Sequence, residues 1–511
     1  MGGERWWNRK ISAHKAEWAL FALAMIALVL LPLPRRAFIN NQLDGLSSHG
    51  LALAAHLSPE RHFLMYNRVV LDEAGVERVE PYNRFPIASF ALIRGATAFG
   101  GPDLIDKFVC ARKLMLAFLL GAMFCAYRAF RLLRPGSWAV PVVVALAFSS
   151  RYCLYYGDMV FNDVPALFGC MLAFHGFVVY RQEKRFGQLL AKSLVAVTLG
   201  WQAFAMILPM AAFVWLKDRA HRDAFWLAAC SIVLGALFLA FNFANESVAT
   251  GRPFLEMPSV QSALGRTGLS EQEAYSAQRT HELPMGWAEF AKQQASRAVY
   301  ASVPALASSS VGVVRGLFSD GSPSERSRAN ARLLAVFASV AVLAACPLLV
   351  LLFRRRRISV DAAVPLLSLA VFWSFPMKNF TMIHEFQGLF WIGIPLVFYD
   401  ALFAMLPKRS LACPLLLVLA LFAGMDSFLR LDEGKMLDSA GSIAPVAMLQ
   451  SEARKLEGAA NPVVFVDGPY SEIAPSRHVL GYALPQAVFA SRIEQADYVL
   501  HVDPVRVERR R

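Results

Sequence analysis

The sequence predicts an all-α polytopic membrane protein with about 11 transmembrane helices and a small C-terminal α/β domain. Three observations support this. The 511-residue chain is 56% hydrophobic with a mean hydropathy of +0.43 and only 17% charged residues, whereas a soluble domain carries roughly 25%. Apolar runs of membrane-crossing length recur along it, and short basic clusters alternate with them.

A helix needs roughly 20 apolar residues to cross the hydrocarbon. Runs of that kind, two of them short, fall at 18–34, 108–127, 138–152, 162–180, 188–200, 202–216, 225–243, 331–353, 359–377, 386–406 and 411–429. The first has the basic flank of a signal peptide, but "PLPRRAF" offers no small-residue cleavage site, so a retained span is expected. With the N-terminus cytoplasmic, the cytoplasmic pieces are 1–17, 127–137, 181–187, 217–224, 354–357 and 408–409. They hold 19 Lys and Arg against 5 acids, which accounts for the whole-chain net charge of +13. Basic residues collect on the cytoplasmic side of membrane proteins, so the charge belongs to topology and no nucleic-acid partner is implied. The seven cysteines show no CxxC spacing and lie in or beside apolar runs, as small buried residues do.

This arrangement makes 1–429 a membrane domain with outer loops at about 35–107 and 244–330, and 430–511 a separate outer domain. "FPIASFALIRGATAFGG" is apolar but short and carries Arg94, so an interfacial helix is expected there. In the tail, Ala444 to Glu457 has helical periodicity, and "PVVFVDG" and "ADYVLHVD" have the character of buried strands.

The spans are nearly free of ionisable residues at mid-depth; acids and cations gather at their outer ends. "INNQLDGLSSHG" reads as a polar loop holding Asp44, "YNRFP" gives Tyr82 and Arg84, "GDMVFNDVP" gives Asp158 and Asp163, and "KNFTMIHEF" gives Lys378, His384 and Glu385. Singly, each has a plain structural explanation: a turn-forming Asp, a helix-capping Asp or a snorkelling Lys. Together they point to a site at one membrane depth on the outer face. A transporter or flippase of lipid-linked saccharides is the alternative, but it requires polar residues lining several spans at mid-depth. There is no P-loop, no GxGxxG and no soluble nucleotide-sugar domain.

These stretches resemble the GT-C superfamily of polytopic glycosyltransferases that use lipid-phosphate-linked sugars, among them the protein O-mannosyltransferases and the lipid A aminoarabinose transferase. The matching features are Asp44 soon after the first span, "YNRFP", "NDVPALFGCMLAF", "HEFQGLFWIGIPLVFY", two short middle spans and an outer C-terminal domain. The resemblance implies hexosyl or pentosyl transfer from a polyprenyl-phosphate-linked donor to a lipid, glycan or protein acceptor, with inverting or retaining stereochemistry left open. It places the chain in a bacterial inner membrane, in contact with membrane lipids, with the C-terminal domain in the periplasm or outside the cell. Asp44 takes the catalytic role. Arg84, Lys378 and His384 bind the donor phosphate, and Tyr82, Asp158, Asp163 and Glu385 bind substrate or a metal. A divalent metal ion is left open, because only some members need one, and no nucleotide cofactor is implied. Asp44 has no acidic neighbour before Glu60, which favours a base over a metal ligand.

Overall fold

The computed structural model describes residues 15, 18–19, 21–26, 42–267, 286–302, 358–378, 381, 384–404, 413, 448–456, 459, 461–468, 478–502 and 504–510. The runs expected at 331–353 and 411–429, and most of 18–34, lie outside these residues, as does most of the tail before 448. So do three of the six basic pieces, 1–17 (except Lys15), 354–357 and 408–409.

The first elements are α1 (Gln42–His56), β1 (Tyr66–Leu71), β2 (Glu77–Pro81) and α2 (Ile87–Ala98). The bundle then runs through α3 (Leu104–Leu133), α4 (Ala139–Phe148), α5 (Arg151–Tyr156), α6 (Asp163–Glu183), α7 (Phe186–Leu199), α8 (Phe204–Lys217) and α9 (His221–Thr250). Two helices of the long loop follow, α10 (Pro258–Thr267) and α11 (Trp287–Ser302), then α12 (Val360–Ser374) and a 3-10 turn (Glu385–Ile392) that leads into α13 (Gly393–Phe403). All eight runs expected between 108 and 406, apart from 331–353, are helical.

Among the described residues, four segments are long and apolar enough to cross a membrane: Leu104–Leu133, Asp163–Glu183, His221–Thr250 and Phe386–Phe403. At 1.5 Å per residue, a 30-residue helix spans about 45 Å, and α2, with 12 residues, only about 18 Å. α2 falls short of a crossing by this measure, and so do α4, α7, α8 and α12, which were expected as spans. The apolar window of α6 is 83% buried and that of α9 only 22%, so α6 is the central post and α9 stands at the rim. On α9, Phe225, Trp226, Ile232, Val233, Leu237 and Val248 are exposed. A soluble monomer rarely leaves so large an apolar face open; a helix facing lipid does.

Ion pairs tie one end of the bundle. Arg134 binds Asp400, Arg181 binds both Asp218 and Asp361, and the Tyr180 hydroxyl donates to Asp223 at 2.8 Å. Three of the predicted basic pieces, 127–137, 181–187 and 217–224, thus share this basic end, and the outer turns of the sequence reading share the other.

The strand expectations at 462–468 and 496–503 correspond to β3 (Val463–Asp467) and β5 (Tyr498–Val502). With β4 (Val488–Ala490) and β6 (Val505–Arg509) they join a six-stranded mixed sheet of order β2-β1-β4-β3-β5-β6. Sequence reading confined this unit to the tail, yet β1 and β2 come from the first loop. Val69 to Leu71 pair parallel with Val488 to Ala490, which covers an edge that β4 would otherwise leave open to pairing with another chain. Helix α14 (His478–Ala483) packs on α1, and the Tyr482 hydroxyl donates to the Leu104 carbonyl at 3.4 Å. The sheet is therefore docked on the end of α1, at His56, and on the start of α3.

Candidate functional site

The stretch around Asp44 is helix, not loop, which corrects the turn-former reading. From Gln42 to His56 there is no proline, and small and apolar residues continue through "LALAAH", so the Asp44–Gly45 pair does not break the helix. Asp44 and Glu385 are described through their backbone alone. Gly50 allows α1 to lie directly on the turn after α5: a Cβ there would fall 2.0 Å from the Val160 carbonyl oxygen. The Ser47 hydroxyl accepts the Val160 N–H at 3.1 Å, and Asp44 lies one turn before Ser47 on the same helix.

Tyr82 and Arg84 sit on a strap held from several sides. The Asn242 side-chain amide donates to the carbonyls of Asn83 and Phe85 at 3.3 and 2.9 Å, and the Trp201 indole donates to that of Arg84 at 2.7 Å. The Arg84 guanidinium stands 4.3 Å over the Tyr82 ring, and His49 of α1 meets that ring edge-on at 4.1 Å. Phe161 packs against both rings.

Phe161 leads to Asp163, the first residue of α6, where the helix dipole favours an anion. Its buried carboxylate accepts hydrogen bonds from the side-chain amides of Gln202 at 3.2 Å and Gln387 at 2.9 Å. Gln387 in turn accepts the Trp373 indole N–H at 2.7 Å. Asp163 therefore joins three separate turns, and capping alone does not describe it.

Asp158 has a different setting. Its carboxylate is buried against the guanidinium of Arg112 on α3, with the Arg112 Nε at 2.9 Å and Nη2 also bonded. Sequence reading missed Arg112; the available signal was a basic residue inside the apolar run 108–127, which demands an acidic partner when buried. His384 presents its carbonyl to Arg297 of α11 at 3.1 Å, and its ring lies 5.0 Å from Phe386. Lys378 rests its ammonium 4.5 Å over the Trp287 ring, also on α11. The long loop thus supplies both supports.

Among the described residues, no three His, Cys, Asp or Glu side chains lie close enough to hold a metal ion. Asp158 is committed to Arg112, and Asp163 to two glutamine amides that present N–H donors, a set suited to a carboxylate and not to a cation. No step below uses a metal.

Beside this polar end lies an apolar cavity of about 880 Å³ between α2 and α9. It is lined by Leu57, Phe63, Ile87, Ala91, Leu237 and Phe241 among others, with Arg94 as its one charged residue.

No protein-family model matches the chain, and no curated protein does. Among solved structures the chain is similar in outline to ArnT from Cupriavidus metallidurans bound to undecaprenyl phosphate, with 11% identity and a TM-score of 0.40 over 95% of this chain and 89% of that one.

Proposed function

We propose that this chain is a GT-C-like membrane glycosyltransferase that moves a sugar from a polyprenyl phosphate to an acceptor at the outer face of a bacterial inner membrane. One observation carries the reading: polar residues from four distant segments, around 47–49, 82–84, 158–163 and 384–387, meet at one end of an apolar bundle. A sugar-phosphate headgroup needs that polar end, and its isoprenoid chain needs an apolar track. The cavity between α2 and α9 suits such a chain, and its Ile87 follows Arg84 by three positions. A flippase is less well supported, since Asp163 lies at the end of α6 and the buried side chains of that helix from Val164 to Phe174 are apolar.

In the proposed step, an acceptor hydroxyl gives its proton to the Asp44 carboxylate as its oxygen bonds to the anomeric carbon. The bond from that carbon to the phosphate oxygen breaks, and the electron pair leaves with the polyprenyl phosphate. Cations stabilise the charge that develops there; Arg84, Lys378 and His384 are assigned this role. Tyr82 braces Arg84, and Asp163 fixes the relation of the turns carrying Gln202 and Gln387. Glu385 is assigned to acceptor binding, and the Asp158–Arg112 pair holds the turn on which α1 rests.

The assignment is tested by measuring polyprenyl-phosphate binding to purified protein. Arg84→Gln and Lys378→Gln should each weaken it roughly tenfold, the scale of one charge-assisted bond, while binding of unphosphorylated polyprenol stays unchanged. Equal losses for both lipids would remove Arg84 and Lys378 from the phosphate site.

A further inference from the structure

Away from the polar end, α3, α6 and α7 carry a second feature near the basic end of the bundle. Lys192 on α7 places its ammonium 3.1 Å from the imidazole Nδ1 of His175 on α6. The close approach depends on Gly176, where a Cβ would sit 3.2 Å from the Lys192 Cδ and 3.3 Å from its Cβ. The Lys192 stem thus lies across α6 in the gap that the glycine leaves. Arg128 on α3 is exposed and within electrostatic reach of both groups.

Among the described residues, no carboxylate forms an ion pair with Arg128 or Lys192. The acid that does act on Lys192, Glu183, is bonded to Arg185 at 2.9 Å. Two cations and an imidazole therefore share one surface without a counterion among the described residues. This contrasts with Arg134 and Arg181 at the same end, which both have acidic partners.

Depth and surroundings identify the missing partner. Arg128 lies five residues from its helix end, Lys192 six and His175 eight, which is about 7.5 to 12 Å at 1.5 Å per residue. That is the headgroup-to-acyl boundary of a bilayer. One turn deeper, α3 exposes Phe124 and α7 exposes Val195, with the half-buried Leu172 of α6 between them. Cations above and apolar side chains below match an amphiphile with an anionic head, and basic pockets between transmembrane helices bind such headgroups. A free phosphate has no use for the apolar track.

We propose that Arg128, Lys192 and His175 form a site for the headgroup phosphate of an anionic phospholipid, whose acyl chains lie over Phe124, Leu172 and Val195. The proposal rests on the bundle crossing a membrane and is independent of the transferase reading, since it is tested without an activity assay. Native mass spectrometry of the detergent-purified full chain, titrated with phosphatidylglycerol or with phosphatidylcholine of the same acyl chains, reads it directly. Wild type should bind phosphatidylglycerol preferentially, and Arg128→Gln/Lys192→Gln should lose roughly tenfold in that affinity with phosphatidylcholine unaffected. Arg128→Gln alone, at an exposed position, should keep the wild-type melting temperature and lose part of the preference; it decides the matter if the double variant misfolds. Equal binding of the two lipids by wild type, or full preference in a folded Arg128→Gln protein, would overturn the site. Displacement of phosphatidylglycerol by millimolar inorganic phosphate would overturn the lipid assignment.

Discussion

At the scale of single residues, the largest effects should come from groups whose burial leaves no alternative. Asp158 and Arg112 are buried against each other, and removing one partner of such a pair typically costs about 3–5 kcal/mol, because the other charge stays buried. Asp158→Ala should therefore lower thermal stability in detergent more than Arg112→Met/Asp158→Ala does. Equal losses would mean that Arg112 reaches solvent once released. Gly50→Ala drives a methyl into the Val160 carbonyl and should cost about 1–3 kcal/mol, the usual penalty of overpacking. His56 is a pH-sensitive counterpart. Burial holds its pKa down at about 4, even though its Nδ1 is 3.0 Å from the Tyr66 carbonyl oxygen. The unfolded chain takes up this proton near pH 6.5 and the folded one only near 4, so stability should fall as pH drops through that window and be fully present above it. His56→Gln should flatten that slope in melting curves taken from pH 7 to pH 4.

At the scale of elements, long apolar segments were legible because nothing but a helix satisfies their backbone in a bilayer. The helices α3, α6 and α9, and the shortness of α2, follow from counting apolar residues. The polar ties were much less legible. Asp163 and Gln387 are 224 positions apart, and Arg112 and Asp158 are 46 apart; a single polar residue in an apolar run has no periodic signal to name its partner. The place of β1 in the sheet escaped notice for a related reason, since its parallel partner β4 lies more than 400 positions later. Their pairing makes a topological prediction. Arg492 reaches Glu73 at 2.8 Å across the sheet, so cysteines introduced at Ala74 and Ser491 should be labelled from the same side of the membrane. Labelling from opposite sides would contradict the sheet.

At the scale of the whole molecule, charge separates into two ends. Acid–base pairs among Arg134, Asp400, Arg181, Asp218 and Asp361 close one end, while the aromatic and amide contacts around Tyr82, Arg84 and Asp163 gather at the other. Of the candidate site, the membership of Tyr82, Arg84, Asp163 and the 384–387 turn was visible in the sequence as polar punctuation between spans. Their mutual distances, and the supports Gln202, Arg297 and Trp201, required the fold. The central claim is that this end transfers sugar with Asp44 as the base. It is tested most directly by assaying transfer from a labelled polyprenyl-phosphate sugar by wild-type and Asp44→Asn protein, both purified in detergent and matched for melting temperature. Loss of a general base should slow transfer by roughly 10²- to 10⁴-fold with donor binding retained, and transfer by Asp44→Asn at the wild-type rate would contradict the claim.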